Sequence, residues 1–148
     1  MPTPPRLRDA RPADLPALLA LEAPFPSDRL SARQFRYHLA RGDGRLRVAV
    51  AGGELLGYAL TLRGGRRLAR LYSIAVDASA RGRGIGARLL ADAEHRARAG
   101  GRGLMRLEVQ AGNAAAITLY EAAGYRRVRF VAGYYEDGSD AWRYEKAL

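Results

Sequence analysis

The stretch best suited to binding chemistry is glycine-rich: Arg81-Gly-Arg-Gly-Ile-Gly86, between an apolar strand pattern and a helical one. Three glycines in five positions let backbone N–H groups turn toward an anion, and the helix dipole adds positive potential at the same end. Arg81 and Arg83 add two guanidinium groups. The stretch predicts a phosphate-binding loop; the alternative is a tight strand-to-helix connection that needs glycine only for its geometry.

Two known phosphate motifs can be compared with this loop. Gly82, Gly84 and Ala87 fit the dinucleotide pattern G-x-G-x-x-G/A, and Glu108 lies near the spacing of its ribose-binding acid. The loop, however, follows an antiparallel meander, and the chain after Glu108 is too short for the further βαβ units of a doubly wound sheet. A P-loop is excluded because no Gly-Lys-Ser/Thr follows the glycines.

The elements that position this loop follow from hydrophobic periodicity and turn residues, in the predicted order βααβββαβαββ. The predicted strands are residues 6–10, 45–51, 54–62, 67–76, 104–109, 125–132 and 141–147. The predicted helices are residues 13–21, Ser31 to Gly42, 87–98 and 114–123. Ser31 and Gln34 form a capping-box pattern, and the glycine pairs at 52–53 and 64–65 predict tight turns.

This order of elements predicts one α/β domain over residues 1–148. Antiparallel hairpins followed by a β-loop-α-β unit indicate a mixed, mostly antiparallel central sheet with helices on both faces. The helix at 87–98 carries Leu89, Leu90, Ala93 and Ala97 on one face. Its other face is predicted to hold the i,i+4 ion pairs Arg88–Asp92 and Glu94–Arg98.

Composition narrows the class of protein. The chain has 148 residues, 48% of them hydrophobic and 27% charged, which is typical of a single globular domain. No apolar run reaches the roughly 18 residues of a membrane span. The N-terminal stretch from Met1 to Arg6 has no signal-peptide pattern, so we expect a cytoplasmic protein, monomeric or weakly dimeric.

The chain contains no cysteine and two isolated histidines, His38 and His95. Thiol catalysis and disulfides are therefore excluded, and no zinc site is expected. The net charge is +10, and all but one of the 25 basic residues are arginines. Eleven arginines against four acids between residues 63 and 108 favour an anionic partner, although base-composition bias in the genome is an alternative origin.

Four segments at their observed separations resemble the GNAT acyl-CoA N-acyltransferase superfamily, most closely its ribosomal-protein N-terminal alanine acetyltransferase branch. They are Leu71-Tyr-Ser-Ile-Ala-Val76, the glycine-rich loop, Leu107-Glu-Val-Gln-Ala-Gly-Asn113 and Ala116-Ile-Thr-Leu-Tyr-Glu-Ala-Ala-Gly-Tyr125. The resemblance is specific from about residue 68 to residue 125.

The resemblance implies acetyl-CoA as co-substrate and a GNAT-type sheet whose central strands splay apart. The backbone of Ile74, Ala75 and Val76 would pair with the pantetheine arm like a missing strand, and Asn113 would lie near that arm. The residues implied to hold the diphosphate are Arg81, Gly82, Arg83, Gly84 and Gly86, and Ile85 and Ala87 are implied to complete the cofactor-binding segment. No metal is implied.

For catalysis, Glu108 resembles the general base of the branch, acting through water, and Tyr120 occupies the position of its general acid. The structural alternatives are a salt bridge from Glu108 to Arg106 or another arginine, and a core position for Tyr120. Without a cysteine, direct attack of the amine in a ternary complex is favoured. The lower pKa of an α-amine, near 7.7 to 8.0 against 10.4 for lysine, favours a protein or peptide N-terminus as acceptor.

The acceptor side departs from the branch, because Phe25-Pro-Ser-Asp-Arg-Leu-Ser31 lacks the tryptophan usual after Phe-Pro. Arg29 in this segment would favour acidic acceptors. The segment from Tyr134 to Asp140 resembles the last hairpin of the branch, which borders the acceptor. Acetylation of a small-molecule amine and non-catalytic binding of acetyl-CoA stay open. A nucleic-acid-binding module is disfavoured because the aromatic residues do not interleave with arginines on one strand.

Overall fold

Seven strands and four helices form in the computed structural model, which describes residues 4–148. The strands are β1 (Arg6–Asp9), β2 (Leu46–Ala51), β3 (Glu54–Arg63), β4 (Leu68–Val76), β5 (Leu104–Gln110), β6 (Arg126–Val131) and β7 (Ala141–Ala147). The helices are α1 (Leu15–Glu22), α2 (Ala32–Arg41), α3 (Ile85–Ala99) and α4 (Ala114–Ala122). The expectation about the N-terminal stretch falls partly on residues 1–3, which lie outside the described residues.

The strands form one sheet in the order β1-β2-β3-β4-β5-β7-β6. β4 and β5 are parallel, and each other neighbouring pair is antiparallel. On one face, α3 packs against the sheet, and Leu89 of α3 and Met105 of β5 belong to the same hydrophobic cluster. On the other face, α1 and α2 bury Leu18 and Phe35 in a second cluster. The prediction of a mixed, mostly antiparallel sheet with helices on both faces is confirmed.

Local sequence signals explain two of the boundaries that were predicted. In the β2–β3 hairpin, Gly52 and Gly53 both have positive φ (58° and 79°), the backbone that a two-residue turn matching strand twist requires. At the start of α2, the Ser31 hydroxyl accepts a hydrogen bond from Gln34 N at 3.1 Å, and Gln34 Oε1 accepts from Ser31 N at 2.8 Å. The predicted capping box is confirmed.

The central pair of strands separates along its length. β4 pairs with β5 only from Leu68–Leu104 to Leu71–Leu107. Beyond that point β4 stays paired with β3 and β5 with β7, so the two strands leave a wedge between them. Tyr72 is an extra residue in β4 at a bulge opposite Leu60 and Thr61, and such a bulge bends the strand that carries it.

The outer surface of α3 differs from the prediction. The helix begins at Ile85 rather than residue 87. Asp92 accepts hydrogen bonds from Arg47 of β2 at 2.9 and 3.1 Å, and Glu94 is buried and accepts one from Lys146 of β7 at 2.9 Å. The predicted i,i+4 pairs are wrong because both acids lie on the flanks of the helix, where basic side chains from the sheet reach them.

Candidate active site

A cleft of about 940 Å³ opens where β4 and β5 separate. Its walls are the exposed edge of β4, the end of β5, the start of α4, the segment between α1 and α2, and the segment between β6 and β7. Eight of the predicted site residues line it: Ile74, Ala75, Val76, Arg81, Gly86, Glu108, Asn113 and Tyr120. The predicted Gly82, Arg83, Gly84, Ile85 and Ala87 complete the loop and first helical turn beside it.

The glycine-rich loop has the geometry of an anion site. Gly82 and Gly84 have φ of 79° and 74°, and a Cβ on either would meet no atom within 4 Å, so the space above the loop is open. The first bond of α3 runs from Arg88 N to Gly84 O at 3.1 Å, which leaves the preceding N–H groups without helical acceptors. Arg81 and Arg83 are exposed there and form no ion pair within residues 4–148.

Two other residues of the loop serve packing. A Cβ at Gly86 would lie 3.4 Å from Leu119 Cδ2 and 3.8 Å from Val76 Cγ2, both ordinary van der Waals distances, so Gly86 lies where α3 packs against α4 and β4. The Ile85 side chain is buried in the core, so only its backbone can face a ligand. At Gly82 and Gly84 the loop thus has the positive φ and the open space that anion binding requires.

Asn113 caps α4 at the edge of the cleft. Its Oδ1 accepts a hydrogen bond from Ala116 N at 3.1 Å, which satisfies one of the unpaired N–H groups of the helix start. Its side-chain amide N–H groups remain available to a ligand in the cleft.

Glu108 is the most strongly held carboxylate of the cleft, with a side chain only 4% exposed. Its Oε1 accepts hydrogen bonds from Arg70 of β4 and from the Tyr134 hydroxyl, the latter at 3.2 Å. Its Oε2 accepts from Arg143 Nε at 2.8 Å. The salt bridge to an arginine that was considered as the structural alternative is therefore present, with Arg70 and Arg143 as partners, whereas Arg106 is paired with Glu145 at 2.6 Å. Both oxygens are thus fixed by donors from neighbouring segments.

Tyr120 lies on α4 with its ring packed edge-on against Tyr125, the centroids 6.0 Å apart. The residue is 5% exposed and lines the cleft, and burial raises the pKa of its hydroxyl well above the usual value of 10. Tyr120 therefore belongs to the core, which was the structural alternative, and also lines the cleft.

The two segments expected to border the acceptor contact each other. Asp28, between α1 and α2, adopts a left-handed backbone (φ 57°), and its Oδ2 accepts a hydrogen bond from Glu136 N at 3.1 Å. Tyr134 and Tyr135 line the cleft beside it. Arg29 does not line the cleft: its Nε donates to the Phe25 carbonyl oxygen, so the guanidinium turns back onto its own segment.

Sequence reasoning missed the residues that hold Glu108, namely Arg70 and Arg143. Both are charged residues inside mainly apolar strand patterns, which is a signal, but assigning them to Glu108 needs the strand register. In that register Arg143 lies directly opposite Glu108, and Arg70 lies opposite Arg106, in the pair before the last one between β4 and β5.

Among residues 4–148, no cluster of three or more acidic or histidine side chains could hold a metal, and no helix is long and apolar enough to cross a bilayer.

Comparisons with known proteins agree with this geometry. The family model described as the acetyltransferase (GNAT) family matches residues 13–125. The chain is 38% identical over 112 residues to the N-alpha-acetyltransferase RimI of Mycobacterium tuberculosis (strain ATCC 25618 / H37Rv), a match covering 73% of this chain and 69% of that protein.

Two further similar proteins are named for different acceptors. The chain is 34% identical over 139 residues to an L-methionine sulfoximine/L-methionine sulfone acetyltransferase of Pseudomonas aeruginosa (strain PAO1), covering 80% of this chain and 78% of that one. It superposes on the crystal structure of the ribosomal-protein-S18-alanine N-acetyltransferase from Escherichia coli with a TM-score of 0.81 and 28% identity, covering 97% and 94% of the two chains.

Proposed function

Because the chain belongs to the GNAT acetyltransferase family, in its RimI-like branch, we propose that this acetyl-CoA-dependent N-acetyltransferase acts on the α-amine at a protein or peptide N-terminus. The observation that best supports this proposal is the wedge between β4 and β5, because it joins the proposed anion-binding loop to a cleft that contains a fixed carboxylate. The two acceptor segments also line this cleft, so we place the chain terminus of the acceptor beside them.

The residues of the wedge fit acetyl-CoA, which supplies the acetyl thioester. The N–H groups of the first turn of α3, with Arg81 and Arg83, would hold the diphosphate. The β5-facing backbone edge of Ile74, Ala75 and Val76 has no strand partner within residues 4–148, so it could bind the pantetheine amides. Asn113 lines the same cleft.

Transfer needs a neutral amine and a protonated leaving group. We assign Glu108 as the base, accepting the amine proton through water, with Arg70, Arg143 and Tyr134 fixing the carboxylate. Burial and the neighbouring Glu108 raise the pKa of Tyr134, so its hydroxyl stays protonated and keeps donating. Without a cysteine, the amine attacks the thioester carbonyl directly in a ternary complex.

Tyr120 is assigned to the leaving thiolate. A thiol titrates near 8.5 and a phenol near 10 in water, so full proton transfer from tyrosine is already uphill. Burial raises the pKa of Tyr120 further and widens that difference. The favoured role is a hydrogen bond from the phenol to the leaving sulfur.

A small amino acid is the second candidate acceptor. The P. aeruginosa relative is named for acting on two methionine derivatives. In this chain Arg70 lines the cleft, so its guanidinium could bind a substrate carboxylate.

The two candidate acceptors can be distinguished by measuring the rate at which free CoA is released with each amine of one panel. The panel holds alanine-initial peptides, lysine peptides with blocked N-termini, L-methionine sulfoximine, polyamines and amino sugars. We expect the highest kcat/KM for the alanine-initial peptides. A higher kcat/KM for methionine sulfoximine would replace the peptide acceptor by the amino acid.

A further inference from the structure

A buried carboxylate next to the cleft has no part in the mechanism above. Glu22, the last residue of α1, is 2% exposed and forms no ion pair within residues 4–148. Its Oε1 accepts a hydrogen bond from Leu30 N at 2.7 Å, and its Oε2 accepts one from the Tyr58 hydroxyl at 2.8 Å. Burial raises the pKa of this carboxyl, and the two neutral donors and the nearby charge of Arg29 oppose that rise.

A hydrogen-bonded chain leads from Glu22 to the cleft. The Tyr58 oxygen lies 2.7 Å from Ser73 Oγ, and Ser73 lines the cleft. Tyr58 has one hydroxyl proton, which it donates to Glu22. The Ser73 hydroxyl must therefore donate to the Tyr58 oxygen. The two lone pairs of the Ser73 oxygen are left to accept hydrogen bonds, so Ser73 presents an acceptor to the cleft rather than a donor.

The bulge at Tyr72 gives Ser73 this position. Ser73 and Ala75 lie on the face of the sheet that α1 and α2 cover, since Ala75 belongs to that cluster. Ile74 packs against the cluster on the opposite face. Leu71 belongs to the cluster on the α3 side, so regular alternation through Tyr72, without the bulge, would place Ser73 on that side as well, away from Tyr58 and Glu22.

We infer that Ser73 Oγ binds the N–H group of the acceptor amine, and that Glu22, acting through Tyr58, positions Ser73 as an acceptor and supplies the negative charge that attracts an ammonium group. The inference rests on the proposed function, since it concerns the amine of that reaction. Glu108 receives the proton, while Ser73 orients the nitrogen.

The test compares two ligands that differ only in the amine. They are an alanine-initial peptide and the same peptide with a propionyl group in place of alanine, each titrated calorimetrically into the CoA-bound protein. A hydrogen bond to a charged group predicts that the wild type prefers the amine roughly tenfold or more. Ser73→Ala should lose most of this preference, while both proteins bind the propionyl peptide equally.

Glu22→Gln tests the direction of the hydrogen bonds from Ser73 through Tyr58 to Glu22. The glutamine Oε1 must face Leu30 N–H, so its Nε2 donates to Tyr58 and the chain reverses, leaving Ser73 to present its proton to the cleft. We expect this variant to lose the amine preference as completely as Ser73→Ala. Tyr58→Phe keeps the ring packed against Phe35 but leaves the Ser73 hydroxyl without a fixed orientation. We expect this variant to lose less of the amine preference than Glu22→Gln.

The matched controls are Glu94→Gln, a buried carboxylate paired with Lys146, and Ser79→Ala in an exposed turn. Both should keep the wild-type preference. An unchanged preference in Ser73→Ala or Glu22→Gln would overturn the inference. If the wild type binds neither peptide, the peptide acceptor of the proposed function fails; alanine amide and propionamide then form the pair, and the same outcomes decide the role of Ser73.

Discussion

Both oxygens of Glu108 are held by donors from three segments, Arg70, Arg143 and Tyr134, so the carboxylate has one orientation toward the cleft. Its place on β5 could be predicted from the spacing of the L-E-V-x-x-x-N motif. Its partners could not, because Arg70 and Arg143 are 38 and 35 residues away in sequence and meet Glu108 only through strand register. Local patterns carry no information about such pairings.

Glu108→Gln tests the proposed base. Glutamine keeps the shape but cannot take a proton, so kcat/KM should fall by about two to four decades, the usual contribution of a general base. Acetyl-CoA affinity, measured by calorimetry, should change little. Glu145→Gln is the matched control, since Glu145 is also paired with an arginine but does not line the cleft. Wild-type rates for Glu108→Gln from pH 6 to 9 would make Glu108 a structural residue.

Gly84→Asp tests the diphosphate site. The new carboxylate would lie in the open space above the loop and repel a diphosphate, so acetyl-CoA binding should be lost. Gly53→Asp is the control, because Gly53 also has positive φ (79°) and open space, in a remote hairpin. Aspartate tolerates a left-handed backbone better than most residues, so both variants should remain folded with similar, small losses of unfolding free energy. Undiminished acetyl-CoA affinity in Gly84→Asp would contradict the assignment.

At the scale of elements, the wedge between β4 and β5 places the loop, the cleft and the two acceptor segments together. The sequence predicted the order and type of the elements because periodicity and turn glycines are local signals. The hydrogen bond between Asp28 and Glu136 was not predictable, since it joins segments 108 residues apart. The ion pairs of α3 were mispredicted for a similar reason: the sheet supplied partners that helix spacing alone does not reveal.

Asp28→Ala tests whether the contact between the two acceptor segments shapes acceptor binding. Loss of the hydrogen bond to Glu136 N, worth about 1 kcal/mol, should raise the acceptor KM about fivefold and leave the acetyl-CoA KM unchanged. Asp28→Asn retains an oxygen acceptor and tolerates the left-handed backbone, so it should restore most of the loss. If Asp28→Asn raises the acceptor KM as much as Asp28→Ala, the charge of the carboxylate matters for acceptor binding and the hydrogen bond to Glu136 does not.

At the scale of the whole molecule, the positive charge lies largely outside the site. The cleft is lined by Asp28, Asp77 and Glu108 against Arg70 and Arg81. Many of the arginines lie elsewhere, and a second cleft of about 430 Å³ near the C-terminal end of α3 is lined by Arg45, Arg47, Arg63, Arg96 and Arg102. Composition predicted an anionic partner but could not place the charge, and Arg29 turns away from the acceptor.

The preference for acidic acceptors is therefore expected to be a long-range effect of the net charge of +10. Alanine-initial peptides with an acidic residue at positions two to four should show higher kcat/KM than basic ones at low salt. The ratio should approach one near 1 M salt, where the screening length is about 3 Å. A ratio that salt does not change would indicate a direct contact, and faster turnover of basic peptides would contradict the electrostatic expectation.

The most direct test of the account compares two matched peptides under saturating acetyl-CoA. One has a free N-terminal alanine and no lysine; the other has the same length and charge, a blocked N-terminus and one lysine. Because an α-amine loses its proton near pH 8 and lysine only above pH 10, a single carboxylate base favours the first. Mass spectrometry should find acetyl on the N-terminal amine, with kcat/KM at least tenfold above that for lysine. Equal or faster acetylation of the blocked lysine peptide would contradict the account.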